Sequence, residues 1–204
     1  MVRRLVLLAL SAPLLFAQTS PVPGWTLAGS PVAAYNINLD HGIFHTGQSS
    51  GTLRCASAKC KGYGTLAQTI HSDVFLGRRV RFSAWVKASK AASVGLWMRV
   101  DGPGNEYLAL DNMEYRRKHG TFGWKKMTIV LDVLSPGTLI NYGILLLGGG
   151  QVWIDDVTVE PVDVEKVRST NALFVPMRGS GDGEPMQSGT SPVHLHPFNL
   201  DFEM

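Results

Sequence analysis

Apolar residues recur at every second position in short stretches along most of the chain. The stretches are VAAYNINL (32–39), GTLRCA (51–56), TLAQTIH (65–71), RRVRFSAWVKA (78–88), SVGLWMRVDG (93–102), EYLALDNM (106–113), WKKMTIVLDV (124–133), TLINYGILLLG (138–148) and QVWIDDVTVEPV (151–162). A period of two is the repeat of a strand with one buried face. The turn residues DHG, HTGQSS, FLGR, DGPGN, SPGT and GGG separate the stretches. Long stretches of helical period are absent outside the first segment. Eight or more short strands without intervening helices predict an all-β fold, an antiparallel jelly-roll β-sandwich.

The alternation also assigns faces. Val80, Phe82, Ala84 and Val86 point one way in the strand at 78–88, and Arg81, Ser83, Trp85 and Lys87 the other. Val94, Leu96, Met98 and Val100 form the next apolar side, which leaves Trp97, Arg99 and Asp101 opposite. With Leu108 and Leu110 in the core, Tyr107, Ala109 and Asp111 face outward. Three consecutive strands would thus each put an aromatic residue among charges on one face. That is the chemistry a sugar needs: a flat ring for its C–H face, and fixed donors and acceptors for its hydroxyls. The expected glycan-binding residues are Trp85, Trp97, Arg99, Tyr107, Asp111 and Asn112. The competing reading is a face covered by a tail or a partner. Trp25 is expected to plug one end of the sandwich and Trp124 to open a strand. Trp153 could lie on either surface and is a weaker site candidate.

The two ends of the chain read differently from the middle. Residues 1–17 carry Arg3 and Arg4, a short apolar run, and Leu15 and Ala17 at the −3 and −1 positions of a cleavage site. This is the pattern of a signal peptide, too short and too broken for a comfortable membrane span, although an uncleaved anchor is the alternative. Its removal leaves about 187 residues, enough for one domain with a tail. It also takes the formal charge from +3 to +1, so charge gives no reason to expect nucleic acid as a partner. The expected division is a signal peptide at 1–17, a jelly-roll domain at 18–162, a Gly/Ser/Pro linker at 163–192 and a C-terminal strand at 193–204. The protein is then secreted or periplasmic, with no membrane span after cleavage.

Cys55 and Cys60 are the two cysteines. Export and an even count favour a disulfide between them; a free thiol or redox pair is the alternative, without a CxxC spacing to support it.

Several motifs then coincide in order: PGWTLAGSPVAAYNINLD, HTGQSSGTLRC, LGRRVRFSAWVKA, TFGWKKMTIVLDV and VWIDDVTVE. Over about residues 21–162 this order resembles the CenC-type carbohydrate-binding modules of families 4 and 9, jelly rolls of the galactose-binding-like group. The stretch GLWMRVDG…LALDNM…HGTFGWKKM most resembles an uncharacterised branch found attached to bacterial regulators and hydrolases. The resemblance implies a polysaccharide or glycan ligand and a bacterial source. In that family the domain opens with a segment like NLDFE ahead of the GW segment. Here NLDFE stands at residues 199–203. A circular permutation accounts for this, with Leu200 and Phe202 filling the groove left by the missing strand; a truncated repeat or strand exchange with a second molecule are the alternatives. The protein is expected to be a monomer, with a strand-swapped dimer as the variant. The resemblance also implies a structural Ca²⁺ held by Glu203, Asp155 or Asp156, and backbone oxygens near Gly47, hard oxygen donors that suit this ion.

GxSxG, HExxH, a Cys–His pairing and paired carboxylates in a defined context are all missing from the sequence, so no catalytic residue is assigned and no enzyme is expected. His194 and His196 share one side of a strand without an identifiable third ligand. The function expected is non-catalytic glycan binding. The alternative is a structural or protein-interaction domain of the cell envelope.

Overall fold

The computed structural model describes residues 20–57, 59–170 and 192–204. The expected signal peptide and residues 171–191 of the expected linker lie outside the described residues. Ten strands make up the described part: β1 (Thr26–Ser30), β2 (Tyr35–Asp40), β3 (Ser50–Cys55), β4 (Tyr63–His71), β5 (Arg78–Asp101), β6 (Tyr107–Asp111), β7 (Lys118–Val133), β8 (Leu139–Leu147), β9 (Gln151–Val162) and β10 (Val193–His194). The fold is an antiparallel β-sandwich, as the alternation predicts.

Two predicted strands, 78–88 and 93–102, are one strand. β5 runs unbroken through SKAA and serves both walls of the sandwich. Its first half pairs with β7 and β9, its second half with β6 and β8. One wall is therefore β7-β5-β9-β3-β2, and the other is β6-β5-β8-β4-β1. Both halves bury alternate residues in a common core: Val80, Phe82, Ala84 and Val86 from the first, Val94, Leu96, Met98 and Val100 from the second. At 24 residues, β5 is far longer than the usual five to six, and its pairing with β7 slips three times between Val86 and Val94. Such irregularities let a strand turn a corner between sheets.

β1 was not predicted, because TLAGS has little alternation; it adds to the edge of β4. Trp25, just before it, is fully buried and closes one end of the core. Cys55 and Cys60 form a disulfide across the β3–β4 connection. Closing so short a loop contributes about 2 kcal/mol on the chain-entropy account.

The C-terminal segment corrects an expectation. Residues 199–203 do not form a strand; among the described residues of the tail, regular pairing is confined to the two-residue β10, parallel to β4 at Thr69 and Ile70. Asn199 and Phe202 adopt positive φ, at 47° and 60°, which an extended strand cannot accommodate. Phe202 is nevertheless fully buried, with its ring centroid 5.1 Å from that of Trp25. The Trp25 indole donates to the Asn199 carbonyl at 2.9 Å, and the Val157 amide to that of Leu200 at 2.9 Å. The side chain of Gln68 donates to the carbonyl of Phe198 and accepts from its amide. The segment enters the core as an irregular plug.

Residues 163–170, predicted as the start of a loose linker, lie against the outer face of β5 and β7. Arg79 donates to the Val167 carbonyl at 2.7 Å, and the Thr170 amide to that of Val130 at 2.8 Å.

Candidate functional site

Because β5 turns a corner, the six expected glycan residues do not share one face. Trp85 stands on the outer face of β7-β5-β9-β3-β2. Trp97, Arg99 and Tyr107 stand on the outer face of the other wall, β6-β5-β8-β4-β1.

On that second wall Trp97 sits opposite Gly143 of β8, and its indole reaches across to β4, where it donates to Thr65 Oγ1 at 2.6 Å. Gly143 has no room for a side chain, since a Cβ would come within 2.2 Å of the Leu66 carbonyl. Trp97 is only 4% exposed, so it offers no open ring face. Beside it, Arg99 grips Asp101 with two bonds, Nε–Oδ1 at 2.6 Å and Nη2–Oδ2 at 2.8 Å. Asn141 donates to Asp101 Oδ2 at 2.8 Å, and Thr69 donates to Asn141 Oδ1 at 2.7 Å. The Arg99 guanidinium lies 4.5 Å from the centre of the half-buried Tyr107 ring. Each side chain here is locked by its neighbours, and three adjacent strands supply them. Asp101 falls on this face by alternation, as expected; Asn141 and Thr69 were not expected, and only the β4–β8–β5 register brings them beside it.

Asp111 and Asn112 diverge from expectation for one reason. The β5–β6 register shifts between Val100 and Asp101, so Asp111 pairs with the core-facing Met98 and Leu110 with the outward Arg99. Asp111 is buried, ion-paired with Arg116, and accepts from the Met113 amide. Asn112 caps the following turn by accepting from the Glu114 amide, and its carbonyl holds Arg117.

On the opposite wall Trp85 is half-buried. The ring of His45, from the β2–β3 loop, stacks on it at 4.0 Å, and Trp124 meets His45 edge-on at 5.6 Å. Trp153 is buried and donates to Asp40 at 2.8 Å.

The residues expected to hold a metal all converge on the turn at 45–49. Asp155, buried at the end of β9, accepts from the His45 and Thr46 amides at 2.7 and 3.2 Å, and burial raises its pKa above the ordinary carboxylate value. Asp156 accepts from Thr46 Oγ1 and lies 2.5 Å from His45 Nδ1. Glu203 accepts from the Gln48 and Ser49 amides at 2.7 and 3.1 Å, and Ser49 Oγ donates to the Phe202 carbonyl. Gly47, at φ +66°, sits in a backbone conformation that favours glycine, with the Glu203 carboxylate against it. Asp156, Asn199 and Glu203 line one open groove of about 600 Å³, and Asn199 Oδ1 is buried without a hydrogen-bond partner. Among the described residues no three His, Cys, Asp or Glu side chains gather closely enough to hold a metal ion.

Comparison with solved structures places this geometry. The xylan-binding domain CBM22-1 of Paenibacillus barcinonensis Xyn10C superposes with a TM-score of 0.53 at 14% identity, covering 72% of this chain and 90% of that one. The C-terminal family 22 module of Clostridium thermocellum Xyn10B gives 0.51 at 16% identity, over 69% and 86%. The fold is a carbohydrate-binding-module-like β-sandwich. The enzymatically active domain of the bacteriophage CBA120 tailspike protein 4 is also similar, with a TM-score of 0.52 at 13% identity, over 69% of this chain and 20% of that one. No family model matches the sequence. The chain is 39% identical over 182 residues to the uncharacterized HTH-type transcriptional regulator YbfP of Bacillus subtilis (strain 168), covering 88% of itself and 56% of the relative. It thus spans about half the length of the curated relative it matches.

Proposed function

We propose that this chain is an exported, non-catalytic carbohydrate-binding module of the CenC kind, and that its ligand face is the outer face of β6-β5-β8-β4-β1. The observation that carries the reading is the Arg99–Asp101–Asn141–Thr69 network beside the Tyr107 ring. The network's four polar side chains are themselves only 3–8% exposed; held in one geometry, they fix the half-buried Tyr107 ring at the surface, where it can stack on a sugar. The Tyr107 ring borders the network; Trp97, tied to Thr65, braces the same wall, and Asn112 is spent on the following turn. Trp85 is on the far wall and belongs to a different surface.

The reading includes three further parts. Residues 193–204 complete the 18–162 domain by circular permutation, with 163–192 as the return segment; the burial of Phe202 supports this. A structural Ca²⁺ would be held by Asp155, Asp156, Glu203 and the Gly47 backbone, neutralising the three carboxylates where the tail meets the sandwich. The module acts as a monomer.

Xylan and other plant-wall polysaccharides are the first ligands to test, given the xylan-binding domain among the similar structures. In affinity electrophoresis, wild type should be retarded by at least one neutral polysaccharide. Tyr107→Ala should weaken that retardation about tenfold, the loss of one aromatic contact, with an unchanged melting curve. Retardation by none of a panel of xylan, β-glucan and galactan would sink the proposal. It would favour the second reading, an envelope interaction domain, which the burial of Trp97 supports.

A further inference from the structure

We propose a second binding site, on the opposite wall and along the β7 edge, that takes a linear polyuronate, a polysaccharide with a carboxylate on each sugar. It does not depend on the neutral-glycan site.

The stretch YRRKHGTFGWKK at 115–126 holds five Lys and Arg residues and no Asp or Glu. The fold adds Lys87 and Lys90, since β7 is an edge strand paired along this length with the β5 corner. Lys90, Lys118, Lys125 and Lys126 are exposed, and Lys87 is half-buried. Among the described residues none of these five lysines makes an ion pair, whereas Arg79, Arg81, Arg99 and Arg116 each have an acidic partner. Four of the molecule's arginines thus carry a carboxylate partner, and these five lysines, among the described residues, do not.

Lysines on an edge strand also prevent sheet-to-sheet association, and that role alone would need no aromatic residues. Here rings and cations alternate. Half-buried Phe122 has Lys125 Nζ 5.8 Å from its ring centre, and half-buried Trp124 packs edge-on against the His45–Trp85 stack. On the same wall Lys87 Nζ lies 5.9 Å from the centre of Trp153. From Lys118 to Lys126 the strand spans at most about 26 Å, long enough for several sugar units. Rings held by packing offer apolar faces to the C–H surface of a sugar, and the lysines between them answer carboxylates repeated along a chain. The disulfide points to an oxidising compartment, where a carboxylated polysaccharide rather than nucleic acid is the polyanion to be met.

The test is affinity electrophoresis of the full chain in polygalacturonate, at low and high salt, beside the variant Lys118→Gln/Lys125→Gln/Lys126→Gln and the variant Trp124→Ala. Melting curves confirm that each variant is folded, and the lysine variant changes only exposed side chains. Wild type should be retarded, about tenfold less at high salt because exposed charges are screened. The lysine variant should lose about tenfold at low salt, and Trp124→Ala should lose binding at both salt concentrations. Tyr107→Ala should bind polygalacturonate like wild type, which separates this site from the neutral-glycan face. No retardation, or full binding by the lysine variant, overturns the proposal. Equal retardation by double-stranded DNA also overturns it, as adsorption of any polyanion.

Discussion

Deleting residues 197–204 should lower the melting temperature by well over ten degrees, and the single change Phe202→Ala should account for much of that. Phe202 is fully exposed to the core and not to water: it lies against Trp25, and its ring also reaches to within 2.6 Å of where a Cβ on Gly51 would sit. Gly51 cannot gain bulk to refill the space without the neighbouring strands moving. Truncating a buried Phe costs about 3–5 kcal/mol, the transfer loss plus an unfilled cavity. For a chain of this size about 1 kcal/mol shifts the midpoint by roughly 2–4 °C, so Phe202→Ala should lower it by roughly 6–20 °C. The full deletion also strips acceptors from the Trp25 indole and from the Gln48 and Ser49 amides. The Trp25 indole and the Ser49 amide are buried, whereas Gln48 is exposed; each buried donor left unpaired costs about 1–3 kcal/mol more. Thermal unfolding followed by circular dichroism, with the deletion and the point variant side by side, makes the measurement. A deletion that melts within two or three degrees of wild type would show that the tail contributes nothing to the fold, and the permutation would fall with it.

Alkaline pH should destabilise the protein through Tyr142. Its hydroxyl is buried and donates to Gln68 at 2.5 Å, and burial raises its pKa far above the ordinary tyrosine value. A pKa raised in the folded state means the stability is fully present below the unfolded value, near 10, and is lost as pH rises above it. Melting temperature should therefore fall from about pH 10 upward, and Tyr142→Phe should flatten that fall; an identical slope in both proteins would refute the assignment. For the metal, 1 mM-scale EGTA should lower the melting temperature and added Ca²⁺ restore it, about 1–3 kcal/mol for a site near saturation. Asp155→Asn should abolish the Ca²⁺ response, and a wild type indifferent to both additions would remove calcium from the proposal.

The alternation found the strands but not where they turn. SKAA at 89–92 breaks the apolar alternation and divides two predicted strands, yet β5 passes straight through it. Whether a strand bends between sheets is decided by which partners flank each half, and those lie up to 83 residues away, as from Arg79 to Val162. The same limit explains the divided aromatic set: Trp85 and Trp97 share a local phase but stand on opposite walls. A shift of one residue between Val100 and Asp101 was enough to turn Asp111 inward. By contrast, the role of Trp25, the disulfide and the involvement of Phe202 were all legible, because each depends on a local cue: a GW turn, two close cysteines, an apolar pair in a polar tail. The conformation of that tail was not, since NLDFE alternates like a strand while its buried contacts demand positive φ at two of its residues. The buried network at Arg99 was half visible. Arg99 and Asp101 fall on one face by simple alternation, whereas Asn141 and Thr69 arrive only through strand pairing.

β5 also sets an order for folding. It is the template for four strands, β6, β7, β8 and β9, and neither wall can assemble without it. The contacts that close the tail, from Trp25 to Asn199 or from Gln48 to Glu203, span more than 150 residues of chain, and loops that long are entropically the last to close. The plug would thus seat on a sandwich already formed and leave first when the protein opens. Proteolysis under native conditions should then release the C-terminus well before it touches the central strand, so that the two ends of the molecule differ in kinetics even though they are joined in one core.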